Sequence, residues 1–131
     1  MLPQTFIHLP GVGAMTERAL WEMGILTWGD FAGASSLPLR ASGRQPELAR
    51  YLEVCRTRLD DQDGGFFDSC LPSGEQWRIY ADFRHRAAFL DIETTGLSPV
   101  NSYVTMVGVL DSDGYKSYVR DENLEALREA L

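Results

Sequence analysis

Two carboxylates placed two residues apart, Asp91 and Glu93, are the side chains of this sequence best suited to chemistry. They lie in the largely apolar run AAFLDIETTGLSP, residues 87–99, which predicts a buried strand with Leu90 and Ile92 pointing into the core. Residues i and i+2 of a strand share a face, so both acids should project side by side. Burying an unpaired charge is very costly. The pair therefore predicts a Mg²⁺ or Mn²⁺ ion, held together with substrate phosphate oxygens.

The acidic charge of the chain is concentrated around these carboxylates. The 131 residues carry a net charge of −7, and the 44% hydrophobic and 24% charged fractions are those of an ordinary globular protein. Residues 87–131 hold three basic residues against eight acidic ones. A protein that binds nucleic acid by charge alone is expected to be basic. Any contact with DNA or RNA is therefore expected to be local or bridged by metal.

The hydropathy pattern predicts no contact with a membrane. No run of the sequence reaches the ~20 apolar residues that a membrane helix needs. The first residues lack the basic and then apolar pattern of a signal peptide. We expect a cytoplasmic protein.

The first part of the chain predicts a helix, a hairpin and a second helix. The Pro-Gly-Val-Gly turn at residues 10–13 precedes a helical pattern that ends at Gly24. Thr27 is the expected N-cap of the second helix, with Asp30 near its positive end. Four residues carry the helical spacing of the first helix: Met15, Ala19, Leu20 and Met23.

Residues 9–31 resemble the helix-hairpin-helix motif. The resemblance implies that the loop offers backbone N–H groups to a nucleic-acid phosphate, which glycines and a helix N-terminus favour. The three loop residues concerned are Gly11, Val12 and Gly13. Glu17 and Glu22 flank the loop, and acidic flanks weaken phosphate affinity. The alternative is a small helical interaction module in which the loop is only a turn.

The middle of the chain predicts a loop followed by a longer helix. Residues 32–46 are rich in Gly, Ser, Ala and Pro, as loops are, and a helix is expected over 47–62. Its apolar stripe consists of Leu48, Leu52, Cys55 and Leu59. The Asp- and Gly-rich run at 60–65 marks the expected domain boundary.

Residues 63–86 are expected to connect two domains, and their local pattern is ambiguous. A capping-box pattern at Ser73 and Gln76 favours a short helix over 74–83. An alternation favours a strand and is formed by Trp77, Ile79, Ala81 and Phe83. We favour the helix, and we interpret the two aromatic residues as packing residues.

From residue 87 onward the pattern predicts strands and then a helix. The expected strands are residues 89–93, 104–111 and 115–120. A turn at 112–114 joins the last two strands as a hairpin. Asp121 is the expected cap of a helix over 122–131, with Leu124, Leu127 and Leu131 on one face.

The segment FLDIETTGL, residues 89–97, resembles the first exonuclease motif of the DEDD nucleases. These are 3′–5′ exonucleases with a ribonuclease H-like fold, and the chain resembles a bacterial group that joins them to a helix-hairpin-helix region. The resemblance implies that Asp91 and Glu93 are catalytic metal ligands in two-metal phosphodiester hydrolysis. It also implies a pocket for the 3′-terminal nucleotide formed by Thr94, Thr95, Gly96 and Leu97.

The sequence departs from this family because its other two acidic motifs are missing. We therefore predict an α+β chain with a helical region at 1–62, a connector at 63–86 and the opening of a ribonuclease H-like exonuclease domain at 87–131. That opening comprises three antiparallel strands and a first helix, and the chain alone is expected to be inactive. Its exposed sheet edge predicts a possible homodimer. The alternative is a non-catalytic module that binds nucleic acid or protein.

Overall fold

The predicted α+β architecture is confirmed. The computed structural model describes residues 1–38, 43–98 and 100–130, and the chain divides into two compact units, Met1–Phe83 and Arg84–Leu131. Helices form the first unit, and a three-stranded antiparallel sheet forms the centre of the second. Among the described residues, no helix combines the length and the apolar character that a membrane span requires.

The first unit contains five α-helices and two 3-10 helices in its described part. The α-helices are α1 Ala14–Glu22, α2 Trp28–Gly33, α3 Gln45–Asp60, α4 Gly64–Cys70 and α5 Tyr80–Phe83. The 3-10 helices are Leu2–Gln4 and Ser73–Ile79. Residues 39–42, which belong to the predicted loop at 32–46, lie outside the described residues.

The ends of α1 and α2 follow the local sequence. Gly24 adopts φ +79°, and the N–H of Ile25 donates to the carbonyl of Leu20 at 3.0 Å, which closes the last turn of α1. At the start of α2, the hydroxyl of Thr27 accepts from the N–H of Asp30, and the carboxylate of Asp30 accepts from the N–H of Thr27. The predicted stop and cap are both confirmed.

The predicted apolar face of α1 is wrong in part. Leu20 is buried, but Met15 and Met23 are exposed. The other buried residues of the helix are the polar Thr16 and Glu17. The reason is tertiary, because hydrogen bonds from other segments satisfy the Glu17 carboxylate in the interior.

Every α-helix in the described part of the first unit contributes buried side chains to its core. On α3, Leu48, Leu52 and Cys55 are buried as the apolar stripe predicts. The remaining fully or almost fully buried apolar side chains include Leu2, Phe6, Leu9, Leu20, Trp28, Phe31, Phe67 and Phe83. The indole N–H of Trp28 donates to the carbonyl of Thr5 at 2.8 Å, so this core residue has its polar group satisfied.

Most of the segment predicted as a connector is helical and belongs to the first unit. The favoured helix at 74–83 is confirmed, as a 3-10 helix followed by α5. Its start at Pro72 has no side-chain cap, so the capping box predicted at Ser73 does not form. Phe83 packs in the core as expected, whereas Trp77 is 61% exposed and is not a packing residue.

In the second unit, a 3-10 helix at Arg84–Arg86 leads into a sheet with strand order β1-β2-β3. The strands are β1 Phe89–Thr94, β2 Val104–Asp111 and β3 Gly114–Val119. The predicted hairpin is confirmed, with Asp111 paired to Gly114, which adopts φ +113°. Val107, Val109 and Tyr118 are buried against Val104, Leu124 and Leu127.

The C-terminal helix is shorter than predicted. It consists of a 3-10 turn at Leu124–Ala126 and α6 at Leu127–Ala130, and Leu131 lies outside the described residues. Asp121 does not cap it, because this residue adopts φ +62° before the turn begins. Asn123 instead joins the turn to β3, by accepting from the N–H of Val119 at 2.7 Å.

The prediction that β1 is a buried strand is wrong for the described structure. Leu90 and Ile92 pair with Val109 and Val107 and therefore share the face of the sheet that forms the core. They are nevertheless 48% and 56% exposed. The leucines after β3 lie against the middle strand, and no described element of this unit covers the edge strand β1 on that face.

Candidate functional site

Asp91 and Glu93 lie on one face of β1, as their spacing predicts. Asp91 pairs with Gly108 and Glu93 with Met106, which makes all four members of one face of the sheet. Both carboxylates are exposed, so solvation rather than a metal ion can satisfy their charges in the described chain. No ion pair involves either of them among the residues that the structure describes.

The donor chemistry of this pair fits a hard divalent cation. Mg²⁺ and Mn²⁺ prefer carboxylate oxygens and commonly bind through one or two of them, completing their coordination with water and phosphate. Within residues 1–38, 43–98 and 100–130, no group of three or more His, Cys, Asp or Glu side chains could hold a metal ion. The pair can thus supply two ligands and leave the remaining positions to water or substrate.

Tyr115 lies on the same face of the sheet as the two carboxylates, and the sequence pattern did not predict it there. A Cβ added to Gly108 would meet the ring and the hydroxyl of Tyr115 at 3.2 Å, so the ring lies over this glycine. Gly108 is the register partner of Asp91. A glycine within a strand often marks a close approach by another group, and that signal could have indicated a neighbour here.

The segment after β1 is held as an ordered loop by its own hydroxyl groups. The hydroxyl of Thr94 donates to the carbonyl of Gly96 at 2.9 Å. Thr95 and Tyr103 exchange two hydrogen bonds, of 3.0 Å and 3.1 Å, which close the base of the loop. Leu97 is fully exposed. The four residues implied for the nucleotide pocket therefore form an ordered loop that directly follows the carboxylates. Two of their hydroxyl groups are already used in hydrogen bonds within that loop.

Arg120 places a cation near the end of β1. Its guanidinium lies 4.0 Å from the ring centroid of Tyr103 and donates to the carbonyl of Val104 at 3.5 Å. Val104 is the register partner of Thr94. No local pattern indicates this position, because the strand, the loop and Arg120 meet only in the folded sheet. Asp121 lies 4.0 Å from the same guanidinium and compensates part of its charge. The arrangement therefore supplies a partly compensated cation at this end of the sheet.

A second candidate site, the hairpin loop, lies in the first unit. Gly11 adopts φ +75° and Val12 is buried, with its N–H donated to the carbonyl of Leu9 at 3.0 Å. Gly13 is the N-cap of α1 and has no side chain to cap the helix. Of the three predicted loop residues, Val12 therefore uses its N–H inside the turn, and Gly13 opens the uncapped end of α1, where an anion is favoured.

The charges around this loop differ from those predicted. Glu17 is buried and accepts from the N–H groups of Phe6 and Ile7, at 2.6 Å and 3.0 Å, and from Arg78 at 3.0 Å. It is therefore not an acidic flank of the loop. Arg44, which no loop pattern predicts, donates to the carbonyl of Pro10 at 2.8 Å.

The position of Arg44 depends on Gly11. A Cβ at Gly11 would clash with Nη1 of Arg44. The same guanidinium forms an ion pair with Glu47 at 2.8 Å. The loop thus has a neighbouring cation, although a carboxylate already compensates part of its charge.

Comparison with known proteins finds a family match within the second unit. Residues 88–130 match the RNase H superfamily, and the match includes Asp91, Glu93 and the loop that follows them. Members of this superfamily typically use divalent metals. No curated protein and no solved structure matches the chain. The hairpin loop at Gly11–Gly13 lies outside the matched residues.

Proposed function

We propose, from the match of residues 88–130 to the RNase H superfamily, that this chain belongs to a metal-dependent nuclease that hydrolyses phosphodiester bonds in nucleic acid. Within that class, the resemblance of residues 89–97 to the first DEDD motif favours a 3′–5′ exonuclease. The observation that carries the proposal is the placement of Asp91 and Glu93 on one face of β1, inside the matched region.

In this proposal, Asp91 and Glu93 hold Mg²⁺ or Mn²⁺ through their carboxylate oxygens. When bound, such ions activate a water molecule and stabilise the leaving oxygen of the phosphodiester. The residues implied for the 3′-terminal nucleotide, Thr94 to Leu97, follow the two acids directly, and the loop hydrogen bonds of Thr94 and Thr95 hold the backbone there. Arg120 would offer a cation to an incoming phosphate, with Asp121 compensating part of its charge.

The two carboxylates supply fewer ligands than a two-metal site needs. We therefore expect the chain by itself to bind metal weakly and to hydrolyse nucleic acid poorly or not at all. Binding of metal, rather than turnover, is consequently the sharper test of the site.

The test is a calorimetric titration of the chain with Mn²⁺, with Asp91→Asn as the variant. We expect the native chain to bind Mn²⁺ and the variant to bind it roughly tenfold more weakly, because ligand charge sets the affinity for hard cations. Asp113→Asn is the matched control, since Asp113 lies at the hairpin turn of the same unit. Equal binding by the native chain and Asp91→Asn contradicts the proposal.

A second candidate function is that of a non-catalytic module that binds nucleic acid or protein. The favouring observation is the hairpin loop, where the positive φ of Gly11, the uncapped start of α1 and Arg44 come together. Replacing Gly11 with alanine strains the backbone and displaces Arg44. A titration with DNA and RNA oligonucleotides tests this function, and unchanged affinity in Gly11→Ala argues against the loop as a phosphate site.

We also propose that the chain forms a homodimer through the exposed edge of β1. The supporting observation is that β1 lies at one edge of the sheet with all six of its residues exposed, Leu90 and Ile92 included. Unpaired strand edges template further pairing. Sedimentation equilibrium tests it: we expect a dimer that Ile92→Lys weakens, whereas a monomer across the accessible concentration range argues against it.

A further inference from the structure

An aromatic groove on the first unit is the feature that neither the nuclease site nor the hairpin loop uses. It has a volume of about 230 Å³. Its lining consists of Met1, Gln4, Thr5, Trp21, Trp77 and Arg78. Large apolar side chains on a surface groove commonly mark an interaction site.

The two tryptophans of the groove are fixed in place yet accessible. Trp77 is 61% exposed and Trp21 is 37% exposed. The indole N–H of Trp21 donates to the carbonyl of Gln4 at 3.1 Å, which sets the orientation of that ring. Trp77 donates no hydrogen bond within the described chain, so its indole N–H is available to a ligand.

Arg78 contacts both rings and limits their separation. Its guanidinium carbon is 5.7 Å from the ring centroid of Trp21 and 5.7 Å from that of Trp77. The centroids can therefore be no more than twice that distance apart. Three residues of a polyproline II helix span ~9 Å, at ~3.1 Å per residue. That span lies within the limit of about 11 Å, so prolines three residues apart are compatible with the two rings.

The charged groups at the groove disfavour a phosphate-bearing ligand. Arg78 is only 12% exposed and is bound by two carboxylates, Glu17 at 3.0 Å and Glu75 at 2.7 Å. The ammonium of Met1, which also lines the groove, is paired with Asp82 at 3.0 Å. Two cations facing three carboxylates leave a net negative charge. Such a groove repels phosphate and attracts a basic side chain.

We propose that this groove binds a proline-rich segment of a partner protein that carries a basic residue beside its prolines. Prolines three residues apart would stack on the exposed faces of Trp21 and Trp77, in the manner by which aromatic-lined grooves recognise polyproline II helices. The indole N–H of Trp77 would donate to a carbonyl of the peptide. The basic residue would face the surplus carboxylate of the Arg78 cluster.

The experiment is a fluorescence anisotropy titration of the full chain against a labelled ten-residue peptide with prolines three apart and one arginine. We expect Trp77→Ala to weaken binding at least fivefold and Trp77→Phe to restore most of it, since an aromatic face is what the proline requires. Leu26→Ala is the matched control, because Leu26 is an exposed apolar residue of the same unit outside the groove lining. Circular dichroism verifies the fold of each variant.

Two further arms of the titration identify the ligand chemistry. A peptide with alanine in place of proline, and one with glutamate in place of arginine, should each bind more weakly than the original. The proposal is overturned if the native chain does not bind the peptide at about 1 mM, if the alanine peptide binds equally well, or if Trp77→Ala has no effect. It is also overturned if single-stranded oligo(dT) binds more tightly than the peptide and Trp77→Ala abolishes that binding.

Discussion

Replacing Glu17 with alanine is expected to destabilise the first unit by about 3–5 kcal/mol, the range for removing one partner of a buried ion pair. The carboxylate is 2% exposed and accepts three hydrogen bonds, from the N–H groups of Phe6 and Ile7 and from Arg78. The substitution leaves the buried N–H of Phe6 unsatisfied, at a cost of about 1–3 kcal/mol by itself. It also leaves Arg78 with Glu75 as its remaining carboxylate.

The measurement is urea denaturation followed by tryptophan fluorescence. All three tryptophans lie in the first unit, so the signal reports on that unit alone. Linear extrapolation gives the free energy of unfolding of each variant. Glu17→Gln retains one oxygen acceptor and is expected to lose less stability than Glu17→Ala.

Glu22→Ala is the control for this prediction, because it removes an acid from the same helix. Glu22 is exposed and forms a surface pair with Arg18 at 3.2 Å. Such pairs contribute about 0–1 kcal/mol. If Glu17→Ala costs no more than Glu22→Ala, the buried carboxylate does not organise this unit, and the reasoning is refuted.

Two further predictions concern stability. Burial lowers the pKa of His8 from 6.5 to about 4, and Arg78 adds to the effect. Between these pH values the unfolded chain binds a proton that the folded chain does not. The free energy of unfolding should therefore be at its full value above pH 6.5 and should fall by up to about 3 kcal/mol as the pH drops toward 4. Urea unfolding at pH 7 and pH 5 measures this loss, which His8→Phe should reduce. Gly108→Val should displace Tyr115 and destabilise the sheet by about 1–3 kcal/mol; an unchanged thermal transition of the sheet by circular dichroism contradicts that expectation.

Part of the candidate site follows from local spacing. The period of two in a strand places Asp91 and Glu93 on one face wherever that strand lies, so their juxtaposition could be predicted without the fold. Tyr115 and Arg120 could not be predicted in the same way. Tyr115 reaches Gly108 through the register of β2 and β3, and Arg120 reaches Tyr103 from the end of β3.

The sequence by itself determined the elements whose signals are local. The capping box of Thr27 and Asp30, the helix stop at Gly24 and the hairpin at 112–114 each depend on residues within a few positions of one another. Such contacts form with little loss of chain entropy and carry the same residue preferences in every fold. The α+β order of the chain followed from them.

Only the tertiary structure decided which side chains are buried and which charges are compensated. Glu17 is buried because Arg78, 61 positions away, reaches it. Arg44 lies at the hairpin loop although 34 residues separate it from Pro10. Trp77 is exposed, and so are Leu90 and Ile92, because burial depends on what packs against a face and not on the face itself. Contacts across such separations leave no periodic trace in a sequence.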